Sequence, residues 1–366
     1  MKNLTPSRLV RLSTAFLTTS LVACGDPAYD NAPDYVFAAI ENDSAVAVLD
    51  ARTGELVRTI DLSIGTGEAR REFDIHNVQG ASDGLTVWAT AMPVGMAGHA
   101  GMAEDPEELI GIDVETLEVR TRIPLGTELH AAHVVVRGRR AWVTANEADA
   151  VLEVDLERGI VSRTLSLPSG TGPHGARLTP DGTRLLVAGL RDGSLQEVTL
   201  ATGIVNRYEL AMAPGDRAVQ TAVLPDASAA FVSLYDARQV ARLDLVTGAV
   251  TRFDLPSGAA GPVQLYPSPD SRAVWVADQG LLDGDAAGRF LFRIDAISGA
   301  LLGTAEVGSG PHGVVVSGDG QRVFATTLGA GSVVIVDAAS ANVVAAIPVG
   351  DGPNGITCVH SGGAMP

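Results

Sequence analysis

A short motif recurs along the chain, and its period restricts the fold more than any other feature. Pro173-His174-Gly175 and Pro311-His312-Gly313 are each followed by an Asp-Gly turn. The same frame recurs in seven places, which begin at His76, His130, His174, Val219, Val263, His312 and Asn354. Neighbouring frames start 42–54 residues apart, close to the ~40–45 residues of a four-stranded propeller blade. The spacing predicts seven equivalent units.

Each unit contains the signals of short β-strands joined by tight turns. Runs such as Ala45–Leu49 and Ser332–Val336 are rich in Val and alternate with a period of two. Asp50 followed by Gly54 is typical of a turn in which the Asp side chain caps backbone N–H groups. One aromatic or large apolar residue recurs in every unit: Tyr35, Trp88, Trp142, Leu186, Phe231, Trp275 and Phe324. This repetition indicates packing between blades, so we predict an all-β, seven-bladed β-propeller of four-stranded antiparallel blades.

The order of these signals also predicts how the ring closes. The segment that begins at Tyr35 matches the second strand of a unit, whereas Gly355–His360 matches a first strand that no further strand follows. We therefore expect the C-terminal strand to complete blade 1 beside the N-terminal strand. The propeller domain is assigned to residues 35–366.

The first residues resemble the signal peptide of a bacterial lipoprotein. Three basic residues precede a short apolar run that ends in Leu21-Val22-Ala23-Cys24. A Leu three residues before a Cys is typical of a lipobox. It predicts a signal peptide over residues 1–23, acylation of Cys24 and a lipid-anchored tether over residues 24–34. An ordinary secretory signal is the alternative.

The charge of the chain narrows the choice of partners. The net charge is −17 with His neutral, and removal of residues 1–23, which hold three basic and no acidic residues, makes it −20. Such an acidic protein repels phosphate backbones, so we do not expect a nucleic-acid partner. The expected location is the bacterial cell envelope, facing the periplasm or the cell surface, with membrane contact through the lipid anchor only.

Several segments together resemble the YVTN repeat family. They are Val323–Thr327, Ser332–Ser340, Val343–Gly350 and Gly352-Pro353-Asn354-Gly355, and similar repeats cover essentially the whole mature chain. The resemblance implies the propeller fold. The propeller of nitrous oxide reductase is similar in fold and ligates a copper cluster with a ring of His, and seven-bladed lactonases and lyases work from the same mouth. Only four of the seven ring positions are His in this chain, so that copper cluster is not expected here.

The repeated histidines are expected on one mouth of the central channel. They stand where the innermost strand of a blade begins, so His76, His130, His174 and His312 converge, with Asn354 between His312 and His76. These five residues form the candidate face for a metal ion or another ligand. Alternatively, each imidazole only hydrogen-bonds the backbone at the start of its strand.

A long connection in the second unit falls on the same face. It contains Met92, Met96, His99 and Met102, and thioethers with imidazole are ligands suited to Cu(I). Copper is therefore the candidate cofactor. The alternative is a loop whose Met side chains pack on the propeller rim.

Three functions fit these features. The favoured one is an envelope-anchored binding or scaffold module that presents the histidine face to a protein or a small molecule. The first alternative is copper binding through the Met92–Met102 loop and the histidines. The second is a lactonase- or lyase-type enzyme that uses charged residues near the mouth, such as Glu72, Asp74 and Arg217. The sequence contains no nucleophile elbow, phosphate loop or zinc-protease helix, so a binding role is favoured over an enzyme.

Overall fold

Seven antiparallel sheets form the described part of the molecule. The computed structural model describes residues 34–94, 105–210, 213, 215–360 and 363–364. Every sheet has four strands, and one of them carries a short fifth strand. The predicted all-β, seven-bladed propeller is confirmed. Among the described residues, no helix has the length and apolar character needed to cross a membrane. Cys24 lies outside the described residues, so its acylation remains a prediction.

The strands of blades 2 to 7 follow the chain in order, and those of blade 1 come from both ends. Blade 1 contains β28 (Pro353–His360), β1 (Tyr35–Ile40), β2 (Ala45–Asp50), β3 (Leu56–Asp61) and the short β29 (Gly363–Ala364). Blade 2 contains β4 (Phe73–Gly80), β5 (Thr86–Pro93), β6 (Glu107–Asp113) and β7 (Val119–Gly126). Blade 3 contains β8 (Ala131–Arg137), β9 (Arg140–Ala145), β10 (Ala150–Asp155) and β11 (Ile160–Ser166). Blade 4 contains β12 (Pro173–Leu178), β13 (Arg184–Gly189), β14 (Ser194–Thr199) and β15 (Ile204–Glu209).

The remaining three blades have the same construction. Blade 5 contains β16 (Ala218–Val223), β17 (Ala229–Leu234), β18 (Gln239–Asp244) and β19 (Val250–Asp254). Blade 6 contains β20 (Pro262–Pro267), β21 (Ala273–Gly280), β22 (Ala287–Asp295) and β23 (Leu301–Glu306). Blade 7 contains β24 (Pro311–Val316), β25 (Arg322–Thr327), β26 (Ser332–Asp337) and β27 (Val343–Pro348). Four short 3-10 helices lie in the described connections: Glu41–Asp43, Gly67–Ala69, Leu282–Gly284 and Leu328–Ala330.

The turn between the third and fourth strands of a blade has the predicted construction. Asp50 Oδ1 accepts hydrogen bonds from the backbone N–H groups of Arg52 and Thr53, both at 2.8 Å. Gly54 has a φ of +78°, and a Cβ there would stand 2.7 Å from Ile335 of the neighbouring blade. A side chain at this position would therefore strain the backbone and would require the Ile335 side chain to move.

The repeated large residues pack between blades, as predicted in six of the seven units. Trp88, Trp142, Leu186, Phe231, Trp275 and Phe324 are all buried. In blade 1 the prediction of Tyr35 is wrong, because the strand pairing places Tyr35 opposite Asp50 and puts Phe37 at the position equivalent to Phe324. Phe37 is fully buried.

The C-terminal strand closes the ring in blade 1, as predicted. β28 pairs antiparallel with β1, with Tyr35 opposite Val359 and Phe37 opposite Thr357. Cys358 lies between these pairs and is buried. Burial raises the pKa of this thiol to about 12, so it is a neutral apolar side chain at physiological pH.

Candidate functional site

The N-terminal ends of the seven innermost strands surround one mouth of the central channel. An irregularity interrupts the pairing of each innermost strand near its start. In four blades a Ser or Thr hydroxyl of the second strand accepts the freed N–H, for example Thr144 Oγ1 from His133 at 3.0 Å and Thr326 Oγ1 from Gly313 at 2.7 Å. We call the preceding residue the ring position. The seven ring positions are His76, Ala132, His174, Val219, Val263, His312 and Asn354.

His130 is not at the ring position that the sequence frame assigns to it. It stands two residues before Ala132, in a left-handed conformation with a φ of +47°, and its N–H donates to the buried Glu107 carboxylate at 2.9 Å. The sequence frame fixes the ring position by its distance from the turn at Arg137-Gly138. Because this turn is shorter than the turns of the other aligned units, the frame points to a residue too early in the chain. The His130 ring still lies near His76, with centroids 6.0 Å apart.

Three histidines from three successive blades converge at this mouth. One ring nitrogen each from His76, His133 and His174 lies within 4.8 Å of the others. The ring centroids of His133 and His174 are 4.7 Å apart, and both lie less than 6 Å from that of His76. We call these residues the histidine triad. The side chain of His76 is 12% exposed, so solvent reaches the triad.

The sequence prediction missed His133. It follows the ring position of its strand by one residue, whereas His76 and His174 occupy theirs. One signal in the sequence was available. Thr144 follows the recurrent Trp142 by two residues, just as Thr90 and Thr326 follow their aromatic residues. Because the hydroxyl of Thr144 accepts the N–H of His133, this spacing indicates the register of the innermost strand.

A carboxylate from the closing blade orients His76. His76 Nδ1 and Glu41 Oε1 are 3.1 Å apart, and Asn354 Nδ2 donates to Glu41 Oε2 at 2.7 Å. Burial opposes ionisation of Glu41, but the hydrogen bonds from His76 and Asn354 outweigh it and lower the Glu41 pKa to about 2. The ionised carboxylate accepts the Nδ1–H of His76, so Nε2 is the nitrogen of this ring that is left to bind a ligand. Glu41 was also missed from sequence.

His174 is oriented by a backbone carbonyl. Its Nδ1 donates to the carbonyl oxygen of Val219 at 2.9 Å, so the Nε2 lone pair of the neutral ring is free. Burial and the nearby His76 lower the pKa of His174 to about 3. The imidazole is therefore neutral at physiological pH.

His133 contacts a side-chain amide. Gln220 Nε2 lies 3.3 Å from His133 Nδ1, and Gln220 Oε1 already accepts the N–H of Thr221 at 2.8 Å. The Gln220 side chain passes over Gly175, where a Cβ would meet it at 2.1 Å. Burial first, and then the neighbouring imidazoles, lower the pKa of His133 well below its usual range.

Several nitrogens at the mouth are buried and have no hydrogen-bond partner within the described part of the chain. They are His76 Nε2, His133 Nε2 and at least one ring nitrogen of His312, whose ring also interacts with the Asn354 side chain. Buried polar atoms normally have partners, and leaving one without costs about 1–3 kcal/mol. Burial and His76 also lower the pKa of His312 to about 4. The mouth thus holds buried ring nitrogens that lack a hydrogen-bond partner within the described residues.

The other predicted ligands are placed differently. Met92 lies in β5, where it pairs with Asp74 of β4, and its side chain is 4% exposed. Met96, His99 and Met102 lie outside the described residues, so the proposed copper loop stays a prediction. Of the cations considered for an enzyme, Arg217 pairs with Asp236 and Asp283.

Comparisons with known proteins support the fold and do not identify a family. No family model and no curated protein matches the chain. Among solved structures, virginiamycin B lyase from Staphylococcus aureus has a TM-score of 0.62 at 19% identity, covering 79% of this chain and 92% of its own. A putative 6-phosphogluconolactonase from Bacteroides uniformis has a TM-score of 0.66 at 14% identity, covering 90% and 100%. Apo AztD from Citrobacter koseri has a TM-score of 0.63 at 14% identity, covering 91% and 98%. At these identities the likeness is one of fold alone.

Proposed function

We propose that this propeller is a metal-binding protein whose ion, Zn²⁺ or Cu²⁺, is held by the histidine triad. The observation that carries this proposal is the convergence of His76, His133 and His174 with their ring nitrogens within 4.8 Å. Neutral imidazole is a ligand for both ions. The sequence favours a binding role, and this proposal names a metal ion as the ligand.

The distances suit a metal ion after a small movement. Zn–N bonds are about 2.0–2.1 Å long, which puts tetrahedral donors about 3.3 Å apart. Ligand nitrogens within 4.8 Å of one another therefore have to move toward the ion by no more than about 1 Å each. Rotation about the side-chain torsions of three histidines supplies a movement of that size without moving strands.

The surroundings of the triad also favour a metal ion. A ligating His usually donates its second N–H to a carboxylate or a carbonyl, which fixes its orientation and raises its basicity. Glu41 supplies the carboxylate for His76, and the Val219 carbonyl does the same for His174. Because the pKa of His174 is about 3, protons compete for its lone pair only in strong acid.

The copper loop and the envelope location belong to the same proposal. A rigid propeller tethered to a membrane through Cys24 would present the triad to the metal ions of the envelope. Met96, His99 and Met102 would add soft ligands for Cu(I) near that mouth. Cu(I) titration of a variant that lacks Met92, Met96 and Met102 tests this part separately.

The test is a titration of metal-stripped protein with Zn²⁺ and, separately, Cu²⁺ against a competing chelator. We expect one ion per chain with a Kd below about 1 μM. His174→Gln should weaken binding by about 100-fold or more, because one of three ligands is lost. His130→Gln is the matched control, since its ring lies at the same mouth outside the triad, and it should change the Kd less than about threefold.

Two results would overturn the proposal. One is a wild-type protein that binds neither ion more tightly than about 10 μM. The other is equal affinity of wild type and His174→Gln. His133→Gln provides a second variant if His174→Gln does not fold, and the unfolding temperature of each variant shows whether it has.

A further inference from the structure

A second polar site lies at the other end of the strands that carry the triad. A cavity of about 260 Å³ opens between the C-terminal ends of β4, β8 and β12. Its polar lining comes from Gln79, Ser82, Arg137, Arg177 and Thr179. The triad and this cavity are thus built on the same three innermost strands, at opposite mouths of the channel.

Arg177 is the exceptional residue of this cavity. Its guanidinium forms one hydrogen bond, from Nη1 to the carbonyl oxygen of the adjacent Ala176 at 2.9 Å. Within the described residues it forms no ion pair with a carboxylate. Burial lowers the pKa of Arg177, although an arginine remains charged at any physiological pH. The Arg177 side chain is half-buried, and an ionised guanidinium that loses water without gaining a carboxylate partner carries a desolvation cost that a bound anion would offset.

Other arginines of the propeller have a structural role that Arg177 does not share. Many extend from one blade to a backbone carbonyl of the next: Arg58 to Thr116, Arg137 to Pro180, Arg163 to Leu200, Arg293 to Ala338 and Arg322 to Ala51. Within the described residues, the hydrogen bond of the Arg177 guanidinium goes to the carbonyl beside it in the chain. The Tyr266 hydroxyl lies nearby, but burial raises the pKa of Tyr266 to about 12, so it is neutral and supplies no counterion. A role in joining blades therefore does not account for it.

Asp181, the acidic residue that directly follows the lining segment Arg177–Pro180 in the chain, is already engaged. Asp181 Oδ1 accepts hydrogen bonds from Thr179 Oγ1 at 2.5 Å and from the Thr183 N–H at 3.0 Å, and Oδ2 accepts from Thr183 Oγ1 at 2.8 Å. These bonds hold the turn after β12. The second guanidinium of the cavity, that of Arg137, donates only to a neutral carbonyl. The cavity thus has two cations in a protein with a net charge of −17.

We propose that this cavity binds a small oxyanion, a phosphate or a carboxylate, with Arg177 as its main ligand and Arg137 at its rim. A guanidinium offers two parallel N–H donors that match either group. The Gln79 amide and the Ser82 hydroxyl, which also line the cavity, complete a set of neutral donors. A volume of about 260 Å³ admits such an anion with a few waters and excludes a large ligand.

The experiment measures binding of inorganic phosphate and of succinate to metal-free protein by calorimetry at low ionic strength. We expect at least one of them to bind with a Kd below about 1 mM. Arg177→Gln should weaken that binding by about tenfold or more, and Arg177→Lys should give an intermediate loss because the charge stays and the paired donors do not. Arg163→Gln, which removes an arginine that joins blades, is the control and should leave the Kd unchanged.

The outcome also identifies the ligand class. Preference for phosphate indicates a tetrahedral anion, and preference for succinate indicates a carboxylate. The proposal is overturned if neither anion binds the wild-type protein below about 10 mM, or if Arg177→Gln retains wild-type affinity. Thermal unfolding of each variant separates loss of the site from loss of the fold. Because no metal is present, this result is independent of the test of the histidine triad.

Discussion

The three residues of the triad differ in where each carries its proton. His76 and His174 donate through Nδ1 to Glu41 and to Val219, so Nε2 is the nitrogen that each has left for a ligand. His133 Nδ1 faces the amide nitrogen of Gln220, which favours the opposite tautomer, with the proton on Nε2. Metal binding through His133 Nε2 therefore requires that proton to leave. The Gln220 amide must then turn its oxygen toward Nδ1.

This difference predicts the effect of Gln220→Glu. A carboxylate in place of the amide accepts a hydrogen bond from the Nδ1–H of His133 and still accepts the Thr221 N–H, so it fixes the ligand tautomer before the ion arrives. We expect Zn²⁺ affinity to rise by about tenfold, measured by the same chelator competition. Gln264→Glu is the matched control, because Gln264 is a buried Gln at the equivalent position of the next blade. A lower or unchanged affinity of Gln220→Glu would contradict the tautomer assignment.

At this scale the sequence revealed the residues that repeat and missed those that do not. His76, His174, His312 and Asn354 stand at ring positions because a repeated motif marks the start of a strand. Glu41 belongs to no motif, and its contact with Asn354 joins residues 313 positions apart. Such a contact becomes visible only once the ring is closed.

At the scale of elements, the sequence predicted the strands and their order well. Each blade needs the same alternation of apolar residues and the same turns, so seven repetitions reinforce one another. The error arose in blade 3, where a two-residue connection joins β8 to β9 and shifts the count by two. The cavity beside Arg177 was not predicted, because its lining comes from three blades.

The pairing of β28 with β1 predicts a specific effect of truncation. A chain that ends at Gly352 loses Ile356, Cys358 and Val359 from the core, which is worth about 6 kcal/mol. We expect the unfolding temperature to fall by about 10 °C or more, measured by calorimetry. A chain that ends at His360 keeps β28 and is the control. Equal unfolding temperatures for the two truncated chains would show that β28 does not hold the ring closed.

At the scale of the whole molecule, the buried histidines couple stability to pH. Burial lowers the pKa of His312 to about 4 and that of His174 to about 3, from the ordinary imidazole value of 6.5. Between those values the unfolded chain binds protons that the folded chain does not, so stability falls as pH falls from about 6.5. Below about pH 4.5 the protonation of carboxylates also changes the free energy of unfolding. Between about pH 6.5 and about pH 4.5, the pH dependence of the unfolding free energy therefore comes from the histidines.

His312→Gln isolates one of these contributions. His312 faces His76, Glu41 and Asn354 and stands outside the triad. At about pH 5 each buried neutral histidine adds about 1.4 kcal/mol per pH unit to the slope of the unfolding free energy. We expect the variant to lose that amount of slope in metal-free protein, measured by denaturant unfolding at several pH values. A slope equal to that of wild type would mean that His312 is protonated in the folded state.

The contact of Glu41 with Asn354 has a consequence for the order of assembly. Both residues belong to blade 1, whose strands come from the two ends of the propeller, and Glu41 orients His76 in blade 2. Blades 3 and 4 can bring His133 and His174 together earlier, but the third ligand gains its oriented form only when β28 docks. If the triad holds a metal ion as proposed, retention of that ion depends on closure of the ring. A chain whose ring stays open would then hold the ion weakly, and docking of β28 would strengthen binding at the site.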